Sequence, residues 1–338
     1  MFDLKKLKSK LCFESVKDLA YFLFCLTPIG CFIFLTRKFY FSGGRCRSNV
    51  RLNGKTVIVT GSSAGIGKQT ALDMARRGAR VIMACRNLEK TSKVADQIRK
   101  ETGNGNVAIE LLDLASFDSI RQFCSRINEK EERIDVLINN AGVSICPKWT
   151  TKDGYELQFG VNYLGHFLLT NLLLDKIKKS APSRIVNVAS IVYIFGKIKW
   201  DDLNSEKSYG PIIAYCNSKL AIILFTRELA KKLKGTNVTT FSVHPGSIRS
   251  EAGRYLVDVY GWIAYFFQFL LKPWKLWFLK NAEEGAQTSI YCAVEEGLSD
   301  LSGSYFKDCQ PGKLLPHALS DSDANKLWDL SEKLTNLK

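Results

Sequence analysis

The chain has 338 residues, 46% of them hydrophobic and 24% charged, the make-up of a globular protein with a sizeable core rather than a disordered or fibrous chain. Its formal charge of +15 comes from basic residues spread along the whole length, without a Lys/Arg-rich arm or an aromatic-interleaved patch, so no nucleic-acid partner is expected and an anionic membrane surface is the better match. Ten cysteines without a CxxC pair, and only three histidines, argue against a zinc site and a secreted disulfide framework and favour a reducing compartment.

Residues 1–18 form a basic tail carrying Lys5, Lys6, Lys8, Lys10 and Lys17. Leu19 to Thr36 (LAYFLFCLTPIGCFIFLT) is then uncharged over eighteen residues. As a helix it reaches about 27 Å, just enough for a bilayer core of about 30 Å if flanking basic side chains snorkel. A cleaved signal peptide and a buried or interfacial helix are the alternatives. The run is followed by Arg37-Lys38-Phe39-Tyr40-Phe41 rather than a small-x-small cleavage site, which favours an uncleaved anchor. Five basic residues lie on each side, so the positive-inside rule does not orient the segment, and cysteine usage favours a cytosolic main domain. Residues 37–51 read as a linker containing Gly and Arg, with the folded domain spanning 52–338.

Thr56 to Thr60 is a β-branched apolar run that leads directly into Gly61-Ser62-Ser63-Ala64-Gly65-Ile66-Gly67 and a helical pattern from Lys68 to Arg77. Strand, glycine turn and helix in that order let backbone N–H groups approach a pyrophosphate at a helix N-terminus, although the spacing is GxxxGxG and a purely structural turn is the alternative. A second strand, Arg80 to Cys85, ends in Arg86-Asn87, where an NAD-preferring site would carry an acid. Arg86 offers a forked cation suited to a 2′-phosphate, with Lys68 as support, so the expected cofactor is NADP(H). The alternation continues through helix Leu88–Lys100, strand Val107–Leu112, helix Phe117–Asn128 and strand Ile134–Ile138. This predicts a Rossmann-like, doubly wound parallel α/β sheet. Asp113 follows the third strand, within reach of an adenine, and the small residues of Asn139-Asn140-Ala141-Gly142 follow the fourth, where the chain must pass close to a cofactor.

Farther on, Tyr215 and Lys219 stand four residues apart in a helix-forming run, which puts phenol and ammonium on one face. With TGSSAGIG at 60–67, NNAG at 139–142, Asn162, Ser190 after IVNVA, YCNSK at 215–219 and HPG at 244–246, residues 52–335 resemble the short-chain dehydrogenases/reductases. More narrowly, LGHFLLTNLLL (164–174), AYCNSKLA (214–221), EEGAQTSIYCAVEEGL (283–298) and LSGSYFKDC (301–309) look like the membrane-anchored retinol dehydrogenases of the retinol dehydrogenase 11 to 14 type. The resemblance implies a catalytic set of Asn162, Ser190, Tyr215 and Lys219, with Asn162 holding a water in a proton relay to Lys219, which would also bind the nicotinamide ribose. It implies cofactor contacts from Gly61, Ser63, Gly65, Ile66, Gly67, Arg86, Asp113, Asn140, Ala141, Gly142, Pro245, Gly246 and Ser250. It also implies an endoplasmic-reticulum location and NADPH-linked chemistry on retinaldehyde and other apolar aldehydes. Ala189 stands where many relatives have a serine, and Ser250 replaces a common Thr.

A tyrosine titrates near pH 10, so Lys219, one turn away, is expected to favour the phenolate and let Tyr215 act as proton donor in reduction and base in oxidation. Ser190 is expected to donate to the substrate oxygen. His166 and His244 read as structural, and Tyr193 as a substrate-pocket residue or a core aromatic. Tyr255 to Lys280 (YLVDVYGWIAYFFQFLLKPWKLWFLK) combines three tryptophans with Phe, Leu and Lys, which suits an interfacial helix pair over the substrate entrance. Packing on the domain, or against a second subunit in a homodimer, is the alternative. A hydroxysteroid or other lipid-ketone reductase and a non-catalytic membrane or lipid-droplet scaffold are the competing functions.

Overall fold

A computed structural model describes residues 27, 32, 35–37, 42–249, 255–262 and 278–337. The expected anchor over 19–36 and the centre of the 255–280 stretch therefore lie largely outside the described residues, as does Ser250. No helix among the described residues is long and apolar enough to cross a membrane.

The first apolar run forms β1 (Thr56–Thr60), buried along its whole length, as expected of a strand covered on both faces. The glycine turn leads into α1 (Gly65–Arg76), which starts three residues earlier than the apolar periodicity predicts because Gly65, Ile66 and Gly67 form its first turn. Then come β2 (Arg80–Cys85), α2 (Leu88–Thr102), β3 (Val107–Leu111), α3 (Phe117–Lys130) and β4 (Val136–Asn139). Asn87 caps α2 by accepting from the Lys90 N–H at 2.8 Å, and Gly103 ends it at φ 69°. Leu157–Phe159 and a π-helical turn, Gly160–Leu164, run into α4 (Gly165–Lys179). The chain continues through β5 (Ser183–Val188), α5 (Pro211–Lys232), β6 (Val238–His244), α6 (Ala282–Val294), β7 (Tyr305–Lys307), β8 (Gln310–Pro311) and α7 (Asp321–Leu334).

The described strands make one sheet in the order β3-β2-β1-β4-β5-β6-β7-β8, parallel except for β8, in agreement with the doubly wound expectation. Alternate residues of β1 feed opposite cores. Val57 and Val59 pack with Met74 of α1 and Ile290 of α6, whereas Ile58 packs with Phe123, Leu168 and Leu224 of α3, α4 and α5. On the second face α7 completes the layer, its Trp328 stacked on Phe225 and edge-on to Phe167. Residues 42–51, expected as a linker, lie against the domain: the Cys46 N–H donates to Gln287 at 3.1 Å, and Arg77 donates to the carbonyls of Ser48 and Val50 at 2.8 and 3.0 Å.

Candidate active site

β1 sits between β2 and β4, so the connections leave β1 and β4 toward opposite faces of the sheet and open a crevice beyond their C-terminal ends. The crevice is a cleft of about 630 Å³ lined from the glycine turn, the ends of β2 to β5, the turn after β6, and α5.

At one end, Gly61 adopts φ +65°, where a Cβ would meet Ala141 Cα at 2.8 Å, and a Cβ on Gly67 would collide with the Asn140 amide. Only glycine lets these segments close. Among the described residues, Gly65, at φ +54°, has nothing within 4 Å of a Cβ position, and α1 has no side-chain cap at Ala64. The N–H groups of a helix start thus face open space, the arrangement that binds a pyrophosphate. The Asn140 side chain donates to the Thr60 carbonyl at 2.8 Å, and the Asn140 and Ala141 N–H groups both donate to Thr60 Oγ1 at 2.9 Å. Ser63, Ile66, Arg86, Asp113 and Gly142 also line the cleft, as expected. Asp113 is fixed by accepting from the Ala115 N–H at 3.1 Å. Lys68, expected beside Arg86, instead donates to Gln97 at 2.9 Å, and Lys90 takes its place on the cleft wall. Lys90 stands in the first turn of α2, four residues after Arg86, and the sequence reading passed over it. This uncapped helix start fits the pyrophosphate of a dinucleotide.

At the other end lie Ser190, Tyr215 and Lys219. Burial pushes the Tyr215 hydroxyl up to about 12, opposed by its hydrogen bond with Ser190. Ser190 follows β5 and opens a 3-10 turn, Ile191–Phe195. Lys219 Nζ donates to the Val188 carbonyl at 2.8 Å and stands 5.5 Å from the centre of the Tyr215 ring. Desolvation lowers its pKa to about 7. Pro245 and Gly246 form the adjoining wall together with Ile248, and Val143, Leu157, Val161 and Tyr255 give this end an apolar lining that sequence reasoning did not single out.

Asn162 and Tyr193 do not line the cleft. Asn162, fully buried in the π-helical turn, accepts from the Val143 N–H at 2.8 Å and donates to the Val143 carbonyl at 2.9 Å and to Ser218 Oγ at 3.0 Å. It holds the NNAG loop to α5. Its backbone carbonyl lies 3.0 Å from His166 Nδ1, whose Nε2 lies 3.0 Å from Thr60 Oγ1. A carbonyl only accepts, so Nδ1 carries the proton and Thr60 donates to Nε2. Burial lowers the pKa of His166 to about 4 and keeps it neutral, in line with its structural reading. His244 differs, its Nδ1 accepting from the Ile191 N–H at 3.2 Å. Of the two readings of Tyr193 the structure has the core aromatic and not the substrate contact: its ring is buried against Tyr305 at 5.5 Å and its hydroxyl accepts from the Leu315 N–H at 3.2 Å, because the 3-10 turn after Ser190 rotates it into the core.

Together, the sheet crevice, the glycine cradle and the Ser190–Tyr215–Lys219 group define a dinucleotide-dependent oxidoreductase. The chain belongs to the short-chain dehydrogenase family, whose model matches residues 55–259. Retinol dehydrogenase 13 of Homo sapiens is 51% identical over 302 residues, covering 89% of this chain and 90% of that protein. Retinol dehydrogenase 11 of Mus musculus is 49% identical and covers 96% of this chain and 98% of its own. Among solved structures, an uncharacterised protein from Mycobacterium paratuberculosis superposes with a TM-score of 0.70 at 32% identity, over 87% of this chain and 98% of that one. A short-chain dehydrogenase from Shigella flexneri complexed with NADP superposes with a TM-score of 0.61 at 25% identity, over 78% and 100% of the two chains. The chain is thus a short-chain alcohol dehydrogenase by class, and its cofactor is a nicotinamide dinucleotide.

Proposed function

We propose that the chain is an NADP(H)-dependent oxidoreductase that interconverts retinaldehyde and retinol, or similar apolar lipid aldehydes and alcohols. The observation that carries this reading is one cleft with two chemically distinct ends: the cations Arg86 and Lys90 past the glycine cradle, and Ser190, Tyr215 and Lys219 beside an apolar lining. The retinol dehydrogenases among its relatives support the retinoid, and the guanidinium of Arg86 supports a 2′-phosphate.

When bound, the nicotinamide dinucleotide gives a hydride to the carbonyl carbon or takes one from the alcohol. Tyr215 gives its phenolic proton to the substrate oxygen in reduction and takes it back in oxidation. With its pKa raised by burial, the hydroxyl is protonated before the transfer. Ser190, bonded to the same hydroxyl, donates to that oxygen and stabilises the charge. Lys219, when protonated, favours the phenolate left behind, and Asn162 keeps α5 and the NNAG loop in register through Ser218 and Val143.

The apolar segment 19–36 and the exposed Val257, Tyr260, Trp262 and Phe278 of the 255–280 stretch support an endoplasmic-reticulum membrane location with substrate entry from the bilayer. All seven described cysteines are free, which supports a cytosolic catalytic domain. The purified protein in detergent with NADPH, offered all-trans-retinal, a steroid ketone and a medium-chain aldehyde, tests the assignment. Reduction of retinal and the aldehyde is expected; turnover of the steroid alone would replace it with the lipid-ketone reading.

A further inference from the structure

The wall formed by Pro245, Gly246 and Ile248 is not supported by its own strand alone. Beyond β6 the chain leaves the sheet, and its next pairing is with a residue more than thirty positions on, as Ile248 forms an isolated parallel bridge with Lys280. The Lys280 N–H donates to the Ser247 carbonyl at 2.8 Å, and the Arg249 N–H donates to the Lys280 carbonyl at 3.0 Å. Lys280 therefore holds the turn from both sides of Ile248 by its backbone.

Its side chain runs back beneath the same turn. Lys280 is only 7% exposed, and its ammonium pairs with Asp308, in the turn between β7 and β8. Gly246 has φ +92°, and a Cβ there would meet the Lys280 side chain at 2.7–2.9 Å, so the lysine stem is packed directly against the cleft wall. From the other side the N-terminal strap closes over the pair. A Cβ on Gly43 would strike the Lys280 ammonium and one on Gly44 the Asp308 carbonyl. Arg37 pairs with Glu284, the glutamate of the capping box that begins α6 immediately after Lys280. Such a long cationic side chain is almost never this buried unless paired, and nothing in the proton chemistry of the cleft uses this one.

We propose that Lys280 is a positioning residue for the cofactor: paired with Asp308 and covered by Gly43 and Gly44, it sets the position of the Pro245–Ile248 wall against which the bound dinucleotide lies. Residues 42–46 are then part of the cofactor site by way of Lys280, although none of them lines the cleft. The inference rests on the cleft taking NADPH, and the test separates the two: an unmodified protein that fails to bind NADPH removes that reading, whereas intact binding leaves Lys280 to be judged by its variants.

The experiment measures NADPH dissociation constants by fluorescence, together with KM for NADPH and kcat, for the full-length protein, Lys280→Met and Asp308→Asn, well below each protein's Tm. Lys280→Met is expected to raise the dissociation constant and KM about tenfold with kcat within about twofold, and Asp308→Asn to raise both about threefold. Faster amide exchange across 245–249 than across α1 is expected in both variants. Unchanged NADPH affinity with only a lower Tm would overturn the proposal, as would a fall in kcat at constant KM. Asp308 is half exposed, so Asp308→Asn carries the test alone if Lys280→Met does not fold, and an unaltered dissociation constant in it overturns the proposal equally.

Discussion

Lys219 Nζ donates to the carbonyl oxygen of Val188 at 2.8 Å, tying the middle of α5 to the last residue of β5. The bond fixes where the amine stands relative to Ser190, two residues beyond Val188, and to Tyr215, one helical turn before it. The carbonyl accepts from the amine in either protonation state, so Lys219 can hold its place while its charge changes.

Burial lowers the Lys219 pKa to about 7, against about 10.4 for an exposed lysine. A folded state that resists protonating a base loses stability wherever the unfolded chain takes up that proton. The cost is complete below pH 7 and disappears as pH rises through the unfolded value. For the protein without cofactor, the Tm difference between wild type and Lys219→Met is therefore expected to shift in favour of wild type between pH 7 and 10. A difference independent of pH would show that Lys219 titrates normally.

His166 joins Thr60, at the end of β1, to the Asn162 carbonyl in the π-helical turn. Its pKa of about 4 lies below the ordinary histidine value of about 6.5. The neutral ring contributes stability that is fully present above pH 6.5 and is lost as pH falls toward 4, about 3 kcal/mol in all. Urea unfolding at pH 7 and pH 4.5 should show His166→Gln losing much less stability between the two than wild type. Equal losses would mean another group carries the acid sensitivity.

Arg86 and Lys90 are the cations on the far wall of the cleft. Arg86→Asp is expected to raise KM for NADPH by about ten- to a hundredfold and to lower it for NADH, because a carboxylate repels a 2′-phosphate but accepts from a ribose hydroxyl. Steady-state kinetics with both cofactors check this, and an unmoved preference ratio would sink the reading of Arg86.

The β/α alternation was legible from local periods, whereas the glycine turn and the Tyr215–Lys219 spacing, each common on its own, became legible through the order in which they and Ser190 follow one another along the chain. What stayed illegible depends on contacts between distant segments. Lys68 lies in α1 and Lys90 in α2, and only the packing of the two helices puts Lys68 on Gln97 and leaves Lys90 on the cleft. Tyr193 lies three residues after Ser190, and whether it faced substrate or core depended on Tyr305, more than a hundred residues away. The 37–51 segment reads as a linker by composition because its partners, Arg77 and, from the other end of the chain, Glu284, Gln287 and Asp308, are not adjacent to it in sequence.

The central claim is that the chain moves a hydride with Tyr215 as its acid and base, and Tyr215→Phe tests it most directly. The substitution removes one oxygen from a residue whose ring packing it leaves intact. NADPH affinity, read by fluorescence, should stay within about twofold of wild type while retinal reduction falls by about a hundred- to ten-thousandfold, the share general acid catalysis ordinarily supplies. Retention of retinal reduction at the wild-type rate in a folded, NADPH-binding Tyr215→Phe protein would contradict it.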